Sequence, residues 1–593
     1  MKHEMHKVDL CVVGGGMAGL CAAISAARHG AQVILMQDRP VLGGNASSEC
    51  RVQISGAARG GSIPHVRETG VLEELRLENM YRNPHEVFTI QDTVFYEKAH
   101  LEPNLTLLLN CTCQDAEMDG DRIVSVTGWQ LTTETRHTVK AKLFADCSGD
   151  SILAPLTGAE FRVGREARAE FGESIAPEEA DEKTMGMTCL FFSREYDTPQ
   201  EFEPPSWAYT FESCDDMPFG EQGHSSWRCG YWWVELGGEY DSIHDTEKLR
   251  DELLKIAYGV WDHLKNHCQH RDRVANYALD WVQFLPAKRE SRRYVGDHML
   301  TQGDIESEGH FNDTIAHGGW TMDDHHPAGF WSAKLPDEAT IWHPCPSPFG
   351  IPYRILYSRN IENLMFAGRN ASCSHAAMSS TRVMGTCAVM GQAAGTAAAL
   401  AAERGITPRE VNDHIHELQQ TLLRDDQYLP WVTQEHGPLT VESTLVASQG
   451  DPEPLRDGFS RQIEDDPHAW ECHPGDHVAY LFPEPTKVQS ITLVLDSDLA
   501  KRISHSWNAN RLNCIYGIPP VMPKRFHVDG RIQGEWQTLH TVEKNHQRFV
   551  RLPLDQRLEG VRFVLDETWG SDTTRVYAFY VDEAQDPSQG ESA

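Results

Sequence analysis

The sequence has no uninterrupted apolar run of about 18 residues, the length a membrane-spanning helix needs, so no membrane partner is expected. It has no Cys-x-x-Cys pair. Its 15 cysteines are scattered, which argues against an iron–sulfur cluster or a disulfide framework and suggests reduced thiols in a cytoplasmic protein. Positive charge is scarce. Lys and Arg total 53 against 87 Asp and Glu, a net −34, and such a surface repels phosphate backbones, so nucleic acid is not expected either. His317, His325 and His326 lie near Asp323 and Asp324, but adjacent histidines beside adjacent aspartates match no metal-ligand spacing, and no metal is expected. The opening, Met1 to Lys7, is polar with mixed charge, and the apolar stretch after it reads as a strand rather than a signal peptide. What the chain does have is 593 residues with 40% hydrophobic content, enough for two or three cores, and oligomerisation is left open.

The first local pattern is a strand, a glycine turn, a helix and a second strand. Val8 to Val13 is apolar with one acid. Gly14, Gly16 and Gly19 follow in Gly-x-Gly-x-x-Gly order, then an Ala-rich stretch from Leu20 to His29 at helical spacing, then Gln32 to Met36. In this arrangement the first glycine makes the tight turn, the second lets the backbone approach a pyrophosphate, and the third lets helix pack on strand. The helix N-terminus offers free N–H groups to the diphosphate. An acid about 20 residues on would hold the ribose hydroxyls. Gln37 stands there as a substitute acceptor, followed by Asp38, which reads equally well as a turn residue.

Later segments complete the cofactor site. Gly43-Gly44-Asn45 follows the second strand. Phe144-Ala-Asp-Cys-Ser-Gly-Asp150 is a strand running into a small-residue turn. Asn363-Leu-Met-Phe-Ala-Gly-Arg369 is another strand, leading into a small-residue helix from Ser380 to Ala402. A site needing a strand from residue 360 onward is split around an insertion, which indicates FAD rather than NAD. The stretch Gln37-Asp-Arg-Pro-Val-Leu-Gly-Gly-Asn-Ala-Ser-Ser-Glu49 resembles the bacterial FAD-dependent oxidoreductase family, with a glutathione-reductase-type FAD fold. So do Gly164-Arg-Glu-Ala-Arg168, Phe171-Gly-Glu-Ser-Ile-Ala-Pro177, Tyr258-Gly-Val-Trp-Asp262, Lys288-Arg-Glu-Ser-Arg-Arg293, Gly318-Gly-Trp320 and Ala367-Gly-Arg-Asn370. The resemblance implies FAD contacts from Gly14, Gly16, Gly19, Gln37, Arg39, Gly43, Gly44, Asn45, Gly149, Asp150, Gly368 and Arg369, with a main-chain contact from Cys113, and Asp38, Ser48, Met384 and Gln392 are further cofactor-binding candidates. No second strand–glycine–helix unit follows, so an external electron acceptor is expected.

The fold class expected is α/β: a split Rossmann-like FAD-binding domain (1–160 and 341–438) around an inserted α+β substrate domain (161–340). An all-β jelly-roll sandwich (439–585) and a disordered tail (586–593) follow. The sandwich reading comes from apolar runs of strand length separated by Pro, Gly and Asp. Leu455-Arg-Asp-Gly458, Trp470 and Gly534-Glu-Trp536 resemble the galactose-binding-like (discoidin) family. The sandwich is expected to be separable by a cut near Pro438. In the insertion, Trp232, Trp233, Trp261, Trp281, Trp320 and Trp331 read first as an aromatic core and second as a sugar-stacking wall. Arg289, Arg292 and Arg293 around Glu290 read as a carboxylate clamp or as a surface ion-pair strand. His375, on the connection after Arg369, is the leading candidate for a general base, with His326 its rival and Arg289 a third catalytic candidate; the alternative for His375 is a turn cap. The function expected is oxidation of a CH–OH group of a small polar substrate, with carbohydrate the leading class. The alternatives are fumarate-reductase-like chemistry beside a carboxylate and a non-catalytic FAD-containing glycan-binding protein.

Overall fold

The computed structural model describes residues 2–223, 227–228, 231–335, 338–503 and 514–583. The sequence-stretch expected to be a disordered tail lies outside them. The described chain divides into two compact units, one of residues 2–60 and 85–418, the other of 61–84, 419–503 and 514–583.

The first unit is organised by a sheet whose strands include β1 (Lys2–Val13), β2 (Val33–Met36), β3 (Leu105–Leu108), β4 (Cys111–Asp119), β5 (Arg122–Gln130) and β6 (Thr135–Asp146), in the order β3-β2-β1-β6-β5-β4. The pairs β3/β2, β2/β1 and β1/β6 are parallel, and β5 and β4 are antiparallel additions. The sheet centre is apolar on both faces because helices cover it, and Leu10 to Val13 and Val33 to Met36 are all buried. On the edge away from β1, β6 serves two neighbours. Its first half pairs with β5, while Phe144–Asp146 pairs in parallel with Leu364–Phe366. Asn363 fixes that late strand: its side chain accepts from the Ile123 N–H at 2.9 Å and donates to the carbonyls of Ile123 and Lys142. The cofactor fold is therefore split in sequence and continuous in space.

Helix α1 (Met17–Arg28) and the helix Met384–Arg404 press together. A Cβ on Gly391 would stand 2.1 Å from the Ala18 carbonyl oxygen, and one on Gly395 the same distance from that of Ala22. Two glycines a helical turn apart thus let the backbones touch, and Ser25 Oγ meets Thr396 Oγ1 at 2.7 Å. Gly391→Ala must push α1 away from its partner. The expected cost is about 1–3 kcal/mol of overpacking, offset in part by about 1 kcal/mol of helix propensity. Thermal denaturation should show a lowered Tm, and an unchanged or higher Tm would refute the packing.

Residues 161–340 carry short strands and one long helix, Thr246–Asp262, whose Leu249, Leu253, Ile256, Val260 and Trp261 are buried at helical spacing. Trp261 lies in an aromatic core with Phe191, Phe211, Tyr231 and Phe330, against which Trp233 and Trp331 pack. The core reading of these tryptophans is the one the packing supports. Among the described residues no single helix is long and apolar enough to cross a membrane. One bent pair, His375–Thr381 with Met384–Arg404, passes on composition, but its residues are core-buried in this fold.

The second unit is an antiparallel sandwich. Two long strands, His477–Leu495 and Phe549–Thr568, pair with each other along most of their length. Residues 478–481 pair with Thr444–Ala447, whereas 488–495 pair with Thr574–Glu583, and the register shifts in between. The core includes Trp470, Tyr480, Ile491, Phe526, Phe563 and Phe579. The helix Val71–Arg82 and the segment before it belong to this unit. Buried Arg67 bonds Glu73 at 2.6 Å and the Ser497 carbonyl at 2.9 Å, and Arg461 donates to Thr69 Oγ1 at 2.8 Å. This corrects the expected boundaries. A cut near Pro438 would strip residues 61–84 of their core, because a piece of the sandwich unit is encoded inside the first FAD segment.

Candidate functional site

The glycine turn is shaped by backbone contacts. Gly14 has φ +100°, and a Cβ there would lie 2.5 Å from Ser148; on Gly19 it would lie 1.8 Å from the Gly14 oxygen. Gly16 differs. A Cβ there meets nothing nearer than Gly44 Cα at 4.0 Å. Gly16 is the N-cap of α1, with no side-chain cap and no acid in the first turn. It forms a bridge with Gly43, whose N–H donates to the Gly15 carbonyl at 2.8 Å. Gly14, Gly16, Gly44, Asn45, Gly149, Asp150, Arg369 and Met384 are half-buried in front of fully buried strands. This is an open cradle of N–H groups at a helix N-terminus, and it fits a dinucleotide pyrophosphate.

Arg369 ties the late strand to the early one. It donates to the Gly149 carbonyl at 2.9 Å, the Lys288 carbonyl at 2.9 Å and Asp150 Oδ1 at 2.7 Å. Lys288 Nζ reaches Asp150 Oδ2 at 2.8 Å, and Asn45 Nδ2 donates to the Lys288 carbonyl at 3.2 Å. Burial opposes the Asp150 charge, yet Arg369 and Lys288 draw its pKa down to about 2. The loops after β2, after β6 and after Phe366 are thus one hydrogen-bonded assembly.

Behind it lie two buried ion networks. Both use the strand Met322–His325, on which alternate side chains face opposite sides. On one side His325 Nδ1 meets Glu235 at 2.7 Å and Nε2 meets Asp323 at 3.4 Å. Arg289 pairs with Glu235 at 3.3 Å and Arg382 with Asp323 at 3.4 Å. On the other, His375 Nδ1 meets Glu290 at 2.9 Å and Nε2 meets Asp324 at 2.9 Å. Arg293 joins Glu290 at 3.2 Å and Glu166 at 3.0 Å. Burial opposes charge on His375, but Glu290 and Asp324 outweigh it and raise its pKa to about 10. Burial also opposes His325, and Glu235 and Asp323 raise it.

Residues 9–422 match the family model described as FAD dependent oxidoreductase. This chain belongs to that family. A curated relative, the cytochrome-containing fumarate reductase of Shewanella frigidimarina, is 62% identical over 39 residues, which is 7% of this chain and 7% of that protein's length. Among solved structures, a geranylgeranyl bacteriochlorophyll reductase-like protein of Thermoplasma acidophilum is 12% identical with a TM-score of 0.32, covering 71% of this chain and 86% of its own. The family 32 carbohydrate-binding module of Streptococcus pneumoniae EndoD is 14% identical with a TM-score of 0.20, covering 25% of this chain and 99% of its own.

In this FAD-dependent oxidoreductase several expected side chains take other partners than foreseen. Gln37 Oε1 accepts from the Gly15 N–H at 2.6 Å and its amide donates to Val41 O, so the side chain braces the glycine turn rather than standing ready for ribose. Asp38 and Arg39 are the exposed pair at that strand end, 3.6 Å apart. The Ser48 N–H donates to Asp92 at 3.0 Å. Cys113 is buried in β4 opposite Gly128, and burial pushes its thiol up to about 12. Met384 opens its helix, and Gln392 is buried two turns further on.

The catalytic candidates have these partners. His375 has both ring nitrogens on carboxylates and holds a proton at neutral pH, so it is not placed as a neutral base. His326 Nδ1 accepts from the Ala328 N–H at 3.1 Å, so that ring nitrogen is engaged by a turn. The three arginines do not converge as a clamp. Arg289 bonds Thr188 Oγ1 and Glu235, Arg292 lies over Phe161, and Arg293 is buried on Glu166 and Glu290. Glu235 and Arg382 were missed as site residues; each sits in a segment with no motif. Glu166 lay within a stretch quoted for the resemblance, and its acid was the available signal.

Proposed function

We propose that this enzyme oxidises a CH–OH group of a neutral, hydroxyl-rich metabolite, a sugar or related polyol, and passes the electrons to an external acceptor. Bound FAD supplies the hydride-accepting group. Gly14, Gly16, Gly44, Asn45, Asp150 and Arg369 would hold it.

The observation that carries this reading is the pairing of cations. Four cations near the cradle, Lys288, Arg289, Arg369 and Arg382, each have a carboxylate of the protein within 2.7 to 3.4 Å. A guanidinium already neutralised has little left to bind a substrate carboxylate, so recognition by hydrogen bonds to hydroxyls is favoured over a charge clamp. His375 as an imidazolium donates hydrogen bonds to Glu290 and Asp324 and keeps the Glu290 and Asp324 charges in place. A second reading, redox chemistry beside a carboxylate, is favoured by the short likeness to the Shewanella fumarate reductase.

The test is anaerobic bleaching of the yellow holoenzyme against a metabolite panel. Bleaching by one sugar or polyol and by no dicarboxylate is the expected result. Bleaching by a carboxylate-bearing metabolite alone would move the assignment to the second reading. No bleaching by any member of the panel would point to a non-catalytic flavoprotein.

A further inference from the structure

We propose that Cys214, His263 and Cys268 form a binding site for a zinc ion in the inserted region, separate from the FAD cradle. Their sulfur and ring-nitrogen atoms all lie within 4.8 Å of one another. Cys214 Sγ is 3.4 Å from His263 Nε2 and 3.9 Å from Cys268 Sγ. Zinc bonds of about 2.3 Å to sulfur and about 2.0 Å to nitrogen at tetrahedral angles place two sulfurs about 3.8 Å apart and a sulfur and nitrogen about 3.5 Å apart. The observed spacings are those of tetrahedron edges.

The surroundings orient the three groups as ligands. His263 Nδ1 bonds the Phe211 carbonyl at 2.8 Å, which fixes the proton on Nδ1 and turns the Nε2 lone pair toward the two sulfurs. The His270 N–H points at Cys268 Sγ at 3.4 Å and holds that side chain in place. His263 and Cys268 are buried and Cys214 is half-buried. Each arises from a backbone irregularity. Cys214 opens a 3₁₀ turn capped by Ser213, and the helix Thr246–Asp262 ends in a π-turn, His263–His267, that delivers Cys268. The described residues between Glu195 and Glu235 have little regular secondary structure. A metal clip joining residue 214 to the end of the long helix supplies the order that strand pairing does not. Binding replaces two thiol protons with one zinc, so it releases protons and weakens as pH falls.

The experiment uses the full-length holoenzyme purified under reducing conditions without chelator, incubated with zinc chloride, desalted and measured by mass spectrometry of the elements. About one zinc per chain is expected. Cys214→Ser and Cys268→Ser should each lower zinc retention at least about tenfold while FAD remains bound. Should the serine variants fail to fold, cobalt(II) added to the wild type should give the intense thiolate-to-cobalt absorption of a tetrahedral sulfur site. No zinc after incubation, full zinc retention in both folded variants, a Cys214–Cys268 disulfide in the reduced preparation, or cobalt without thiolate absorption would each overturn the assignment.

Discussion

Gly16→Val should purify folded and colourless. The Gly16 backbone has φ −65° and ψ −177°, an extended conformation that valine adopts without strain. Its Cβ would meet nothing nearer than 4.0 Å, so the fold has room for the side chain. The isopropyl group instead fills the space in front of the α1 N-terminus, where a diphosphate must approach the N–H groups. Loss of FAD affinity by at least about 100-fold is expected, equivalent to about 2.7 kcal/mol. The control is Gly19→Val, whose Cβ would collide with the Gly14 carbonyl oxygen at 1.8 Å, so that variant should fail to fold rather than fold empty. Flavin absorbance and circular dichroism on both proteins separate the two outcomes. Full FAD occupancy in Gly16→Val would show that the cofactor lies elsewhere.

His375→Ala should be far less stable than the wild type, and more than an active-site lesion. Removing the imidazolium leaves Glu290 and Asp324 as buried carboxylates without their shared partner. Breaking a buried ion pair in this way costs about 3–5 kcal/mol. The pH dependence follows from the raised pKa. An unfolded histidine titrates near 6.5, and His375 in the fold near 10. Its contribution is therefore complete below about pH 6.5 and is lost as pH rises through about 10. Denaturant unfolding between pH 6 and 10 should show the wild type losing stability with a slope that His375→Gln lacks. Equal slopes in the two proteins would mean that His375 is not held as a cation, and would return it to consideration as a base.

The same histidine shows how far sequence reading reaches. Its position between the Gly-Arg strand and the following helix was legible, because strand, turn and small-residue helix are patterns of a few consecutive residues. Its protonation state was not legible. That state depends on Glu290 and Asp324, which lie 85 and 51 residues away and reach the ring only through tertiary packing. Asp323 and Asp324 are neighbours in sequence, yet strand alternation sends them to two different networks.

By itself the sequence determined the glycine turn and the return of a strand near residue 364. It also determined the change to strand-length alternation past residue 440. Each is a local code: backbone conformation and hydrophobic period are set by near neighbours. Only the tertiary structure decided which carboxylate neutralises which arginine. It alone assigned residues 61–84 to the sandwich, and it alone gathered Cys214, His263 and Cys268. Electrostatic pairing and core membership depend on distances in space, and no spacing along the chain encodes a distance between segments that meet only when folded.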